Sequence, residues 1–288
     1  MWPTAVQDCD MDGEAVSQYF DATADVYTTE TEIDEMDPPP LVDEFIDHRC
    51  KKGDRLLEIG CGDGKLLEYV LEYTDISEAY GIDISTEMLP DPDNDAQGQY
   101  LHASATDLPL PFEREGFDFV VMSDVLHHLV GPYRWEAKRR AQAALVEATN
   151  LLRPGGYLLV KDIFYESRAG PDTLTSHLIF LGLRHCSGVA SRIDVEALPG
   201  LLVSFYTRDE LRELLRQSGT TVVDRSIERG SKQSTVRRLL VGDSGCIRLY
   251  AEKKRRDNPP TNAKRVDAAG SRSEGGADAE NGSGARDG

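Results

Sequence analysis

The chain has 288 residues, enough for one or two domains, and carries 51 Asp and Glu against 32 Lys and Arg, a formal net charge of −19. That acidity weighs against a generic nucleic-acid binder, which needs concentrated Lys and Arg to meet phosphates. No run approaches the roughly 18–20 apolar residues of a membrane span, no secretory signal opens the chain, and the five cysteines form no CxxC pair, so a cytoplasmic protein without disulfide framework or metal site is expected.

In chain order, helices are expected at about Gly13–Val26 and Pro40–Cys50, with Pro38-Pro39-Pro40 as punctuation. Strands follow at Arg55–Ile59, Ala79–Ile84, Tyr100–Ala103, Phe117–Met122 and Tyr157–Lys161, and an amphipathic helix at Lys65–Tyr73. A long helix at about Trp135–Leu152 is expected to stop at Pro154-Gly155-Gly156. Thr207 and Glu210 form a capping box for a helix over Thr207–Ser218. Strands at about Thr221–Arg225 and Cys246–Ala251 close the pattern, and residues 253–288 are too polar to order. Strands alternating with helices predict an α/β fold: a seven-stranded, mostly parallel, doubly wound sheet that binds ligands beyond its strand carboxyl ends. Residues 1–50 read as an acidic helical lead to the catalytic domain, 51–252 as the domain itself and 163–206 as a lid insertion.

The sharpest local signal is Leu56-Leu57-Glu58-Ile59-Gly60-Cys61-Gly62-Asp63-Gly64-Lys65, a strand running into three glycines and then a helix. Glycine lets the backbone turn sharply and approach a ligand. The spacing is GxGxG; Lys65 stands where the dinucleotide fingerprint has its third glycine, and no phosphate loop is present. Gly81-Ile82-Asp83-Ile84 follows, with Asp83 placed to grip a ribose diol. After the third strand, Thr106-Asp107-Leu108-Pro109 offers an acid that can accept from an exocyclic amine.

With Phe117-Asp118-Phe119-Val120, Leu126-His127-His128-Leu129 and Leu152-Arg153-Pro154-Gly155-Gly156 in the same order, the chain resembles the class I, Rossmann-like S-adenosylmethionine-dependent methyltransferases over about residues 15–252. The resemblance implies S-adenosylmethionine as cofactor. It implies that Glu58, Gly60, Cys61, Gly62 and Gly64 pack against its methionine part, that Asp83 and Ile84 hold the ribose, and that Thr106, Asp107 and Leu108 meet the adenine. Ser123 and Asp124 would lie beside the sulfonium and the acceptor, and Tyr19 and Tyr27 of the leading helix would close over the cofactor. Methyl transfer is an in-line displacement that needs positioning first and a general base only when the acceptor keeps its proton. His127 and His128, with Asp124, are the candidate catalytic residues.

Two motif-like stretches carry no chemistry: Tyr157-x-x-x-Lys161 falls in a strand, and Asp91-x-Asp93-x-Asp95 lacks the glycine and terminal Glu of a calcium loop. The chain also lacks an [Asp/Asn]-Pro-Pro-[Tyr/Phe] after the fourth strand and a paired Cys after strands four and five. Leu174, Leu178, Leu181 and His185 share one helical face in the insertion, also holding His177, which suits core packing or a lid over a partly apolar acceptor. A small-molecule acceptor is therefore expected. The competing acceptor is transfer RNA, because residues 208–256 hold 13 Lys and Arg against 7 acids, including Arg225, Arg229, Lys232, Arg237 and Arg238. The rest of the chain carries the acidity: residues 1–50 hold 14 acids and one base. Acid excess with 23 Arg and only 9 Lys suits a halophilic-type protein, stabilised as molar salt screens self-repulsion.

Overall fold

The computed structural model describes residues 11–30, 39–91, 96–167, 203–229 and 241–255. Its elements are α1 (Met11–Glu30), a π-helix (Val42–Ile46), β1 (Asp54–Ile59), α2 (Lys65–Tyr73), β2 (Ile76–Asp83), β3 (Gln99–His102), β4 (Phe117–Ser123), a 3₁₀ turn (Leu126–His128), α3 (Arg134–Leu151), β5 (Leu152–Ser167), α4 (Arg208–Gln217), β6 (Thr220–Arg229) and β7 (Val241–Lys253). They build a seven-stranded sheet in the order β3-β2-β1-β4-β5-β7-β6. The first five strands of that order run parallel, and β7 runs antiparallel to both β5 and β6. The chain begins at the centre, winds out to β3 and returns beside β1 as β4. A crevice therefore opens at the carboxyl ends of β1 and β4, where such sheets hold ligands.

Side chains alternate across each strand, so both faces are apolar. Leu57, Ile59, Val120, Met122, Leu158 and Val160 pack with α3 and α4, whereas Leu56, Phe119, Val121 and Leu159 pack with α2 and the π-helix. Among the described residues no helix separates β2 from β3 or β3 from β4, in keeping with the sequence pattern, which has none there. No described helix is long and apolar enough to cross a membrane.

Several expected boundaries move. The second leading helix is a π-helix whose Phe45 stacks on Tyr250 at 4.4 Å while Glu44 accepts from the Tyr250 hydroxyl at 2.6 Å. α3 ends at Leu151, because Leu152 is already extended and pairs with Phe117. Pro154-Gly155-Gly156 is thus a bulge within β5 and not a helix end: the register jumps from Phe117↔Leu152 to Phe119↔Tyr157, with Gly155 at φ +85°. β5 also outruns its expected end at Lys161, since Ile163–Ser167 pair with Cys246–Val241 of β7. The segment expected as a lid from residue 163 is therefore strand as far as Ser167. Residues 168–202, with Leu174, His177, Leu178, Leu181 and His185, lie outside the described residues, as do Asp93, Asp95, Lys232, Arg237, Arg238 and the tail beyond 255. The capping box forms as expected: Glu210 N–H donates to Thr207 Oγ1 and Thr207 N–H to Glu210 Oε2, both at 3.1 Å.

Candidate functional site

β1 carries the glycine loop to the crevice. Gly60 and Cys61 N–H both donate to the Ile82 carbonyl, at 2.7 and 3.0 Å, which ties the loop to β2. Gly64 N–H closes back on the Cys61 carbonyl at 2.9 Å and starts α2 from a left-handed backbone, φ +75°. A Cβ on Gly60 would sit 2.3 Å from Val125 Cγ2, and one on Gly64 2.3 Å from the Tyr100 hydroxyl. These two glycines are required by close packing within the protein, which the sequence does not reveal. A Cβ on Gly62 would meet only Met88 Cε, at 3.3 Å. Cys61 is buried, and burial pushes its thiol up, so it serves as packing and not as a nucleophile.

Two carboxylates converge beneath this loop. Asp83 ends β2, accepts from Gly62 N–H on Oδ2 and Ser85 N–H on Oδ1, both at 2.9 Å, and is 8% exposed. Burial raises its pKa, although the two N–H donors oppose the shift. Each oxygen keeps a further lone pair, as a vicinal diol requires. Glu58 is 4% exposed, and its Oε2 has no hydrogen-bond partner among the described residues. Burial, then the charges of Asp83 and Asp63, holds its carboxyl well above the usual range. A buried, unpartnered acid beside a second acid is costly alone and is relieved by a cation. Asp107, by contrast, is exposed beside the half-buried Thr106 and exposed Leu108. Ile84 is half-buried, and its carbonyl accepts from Ser17 of α1 at 3.1 Å and pairs with His102 Nε2 at 2.9 Å.

α1 covers the same end of β2. Asp21 accepts from the Ser85 hydroxyl at 2.6 Å, and Val16, Phe20 and Ala24 pack with Met88, Val130 and Val203. Tyr19 packs against this cluster, and burial raises its phenol. Tyr27 lies in α1 with its side chain outside the described set.

Beyond β4 the three candidate catalytic residues part ways. Asp124 adopts φ +57°, donates its N–H to the Lys161 carbonyl at 2.8 Å and is ion-paired with Lys161 Nζ at 2.6 Å. Ser123 donates to the same carboxylate at 3.3 Å. Burial works against the Lys161 ammonium, but Asp124 outweighs it and the pKa ends raised. Asp124, expected beside the sulfonium and the acceptor, is thus held in an ion pair at the end of β4. Lys161, set aside with Tyr157 as a strand coincidence, does lie in β5, yet it holds this corner together. His127 is 5% exposed and bonded through Nδ1 to Asp162 at 2.8 Å. His128 has a buried Nδ1 without a partner among the described residues and stands edge-on to Phe20 at 5.1 Å. Burial, then positive charge on His127, holds the His128 imidazole well below its ordinary pKa.

Residues 57–160 match the methyltransferase domain family. The chain is 29% identical to the ubiquinone biosynthesis O-methyltransferase of Roseobacter denitrificans over 60% of this chain and 62% of the relative. It is 30% identical to the human "Probable tRNA methyltransferase 9B" over 42% of this chain and 24% of the relative. The chain thus spans less than two thirds of the length of these curated relatives. Among solved structures, magnesium protoporphyrin IX methyltransferase from Synechocystis with bound S-adenosylhomocysteine superposes with a TM-score of 0.55 and 15% identity, covering 84% of this chain and all of that one, 100%. At that identity the likeness is one of fold. The glycine loop, Asp83 and the orphaned Glu58 oxygen fit S-adenosylmethionine, whose ribose diol and cationic groups match a hydroxyl-accepting acid and an uncompensated one.

Proposed function

We propose that this class I, Rossmann-like S-adenosylmethionine-dependent methyltransferase moves its methyl group onto a small, partly apolar acceptor. The observation that carries the choice is the buried apolar cluster that α1 forms beside the site, a wall of packed side chains running from the glycine loop to His128. Met88 lies at the Gly62 end and Phe20 at the His128 end, joined through Val16, Val130 and Val203. An acceptor resting on this wall loses water around the reacting atoms, which favours an in-line displacement. Glu58, Asp83 and the glycine loop would hold the donor, and Ser123 would lie beside the acceptor.

Transfer RNA is the weaker reading, although the human relative carries that name. Five described arginines of the basic quarter are paired with carboxylates of the chain. Arg208 pairs with Glu166 and Asp243, Arg212 with Asp209, Arg216 with Glu213, Arg229 with Asp243, and Arg248 with Glu44 and Glu228. A phosphate backbone would have to compete with each of these carboxylates.

The experiment is transfer of labelled methyl from S-adenosylmethionine into a cell extract, which is then split into small-molecule, lipid, RNA and protein fractions. Label in the small-molecule or lipid fraction is expected. Label confined to RNA, with binding that weakens steeply as salt rises, would overturn the choice of acceptor.

A further inference from the structure

Asp162 was not among the residues singled out from sequence, yet it is fully buried, at 0% exposure, on β5. Its Oδ1 accepts from His127 Nδ1–H at 2.8 Å and from Ile163 N–H at 2.7 Å, and its Oδ2 accepts from the His127 backbone N–H at 3.3 Å. One carboxylate thus grips both the ring and the backbone of one residue. Because a carboxylate only accepts, the contact places a proton on Nδ1. Ser204 N–H fixes the His127 carbonyl from the other side, at 2.8 Å. His127 is thereby clamped at the middle of the Leu126–His128 turn, with its ring centroid 4.0 Å from that of His128. His128 itself is held by packing: Phe20 faces it, and its buried Nδ1 has no partner among the described residues. One histidine is fully committed to the protein, and the next is left with an unused basic nitrogen.

We propose that Asp162 is a positioning residue of the transfer centre: by gripping His127 through ring and backbone, it fixes the Leu126–His128 turn and presents His128 as the base that takes the acceptor's proton. The inference rests on the methyltransferase reading above. S-adenosylmethionine, when bound, supplies a methyl group whose S–C bond breaks with the electron pair left on sulfur. The acceptor's O–H or N–H proton passes to a ring nitrogen of His128 as the acceptor lone pair forms the new bond to carbon. The His128 imidazolium then returns its proton to water.

The division of labour has an electrostatic side. A carboxylate beside His127 favours the charged ring, and a charged ring 4.0 Å away disfavours a second proton on His128. The other groups packed around the pair do not replace this control. Tyr206, buried in the segment before α4 and bridged to Phe164, has its phenol pushed up by burial and then by Asp162. Glu210 of α4 pairs with both Arg134 and Lys138 of α3, each at 2.7 Å, so these charges are bound up with one another. α1 faces His128 with Phe20, while its Asp21 is engaged by Ser85. Asp124 and Lys161, next along β4 and β5, pair with each other.

The test is an NMR titration of the full chain with ring-¹⁵N-labelled histidine, which needs no knowledge of the acceptor. The wild type is expected to show His127 protonated on Nδ1 throughout and His128 neutral well below about pH 6.5, the ordinary imidazole midpoint. In Asp162→Asn the His128 midpoint should move up toward that value and labelled-methyl transfer should fall about tenfold or more. Affinity for S-adenosylmethionine should stay within about twofold, and Asp162→Glu should recover part of the transfer, effects of the size expected for general base catalysis. An unchanged His128 titration in Asp162→Asn would overturn the proposal, as would full transfer by His128→Ala. If Asp162→Asn does not fold, the wild-type titration still decides: an ordinary His128 midpoint, or an unprotonated His127 Nδ1, refutes the clamp. Loss of S-adenosylmethionine binding by the wild type would instead overturn the methyltransferase reading, whatever the histidines do.

Discussion

The two halves of the sheet treat charge in opposite ways. On the β3-β2-β1 side, Glu58 and Asp83 are both buried, the Asp83 charge helps to raise the Glu58 pKa, and Glu58 Oε2 has no partner among the described residues. On the β5-β7-β6 side, buried or half-buried charges are matched: Arg248 by Glu44 and Glu228, Arg208 by Glu166, and Arg134 by Glu210. Both halves belong to one acidic chain, so net charge does not distinguish them. An uncompensated buried charge is a cost that folding alone gives no reason to keep, whereas a compensated one is part of the scaffold. The contrast supports the proposal that Glu58 and Asp83 face the ligand, with the matched arginines of the second side as scaffold.

The strongest way to break this contrast is Asp83→Ala. If Asp83 receives both ribose hydroxyls as hydrogen bonds to a charged acceptor, its loss costs about 3 kcal/mol of binding, or roughly a hundredfold in Kd for S-adenosylmethionine. Calorimetry on a variant with a native circular dichroism spectrum checks it. A Kd within a few-fold of wild type would remove Asp83 from the ligand site.

Arg248→Ala probes the matched side. The side chain is 7% exposed, but its partner Glu228 is 54% exposed and can return to water, so the loss should be below that of a fully buried pair, at about 2 kcal/mol of stability. Thermal or urea unfolding measures it, with S-adenosylmethionine affinity expected within about twofold. A large loss of affinity with little loss of stability would reverse the roles of the two halves.

What the sequence made legible follows the same division. The glycine loop, α2 and the capping box at Thr207 are local patterns, so residue types at short spacing were enough to place them. Asp83 was legible because its distance from the loop is set by one helix and one strand. Asp162 was not, since its meaning comes from a partner 35 residues away in the turn after β4. The only sequence cue was an acid two residues beyond the apolar run Tyr157–Val160, after Lys161. The length of β5 was equally hidden, because residues 163–167 are strand only through their antiparallel pairing with β7. The place of Asp124 at the end of β4 was legible but its ion pair was not, because an acid at a strand end looks alike whether it is free or paired. Only the position of Lys161 tells the two apart.

The finest test of the contrast is Glu58→Gln, which keeps the shape and removes the charge. Burial and two neighbouring acids raise the Glu58 pKa in the folded chain. A carboxyl raised above its unfolded value of about 4.3 contributes stability that is fully present below that pH and lost as pH rises through the folded value. Glutamine has no such loss. The variant without cofactor should therefore melt close to wild type near pH 4 and become the more stable of the two as pH rises toward 8. The gain is expected at about 1 kcal/mol, or a few degrees in Tm. S-adenosylmethionine, whose cationic groups would relieve the buried acid, should bind the variant about tenfold more weakly at pH 8. Stability and affinity would then move in opposite directions on one substitution, as expected where a site holds charge for a ligand and not for the fold. If Glu58→Gln instead destabilised the protein equally at pH 4 and pH 8, the acid would be a scaffold element like those of the opposite half.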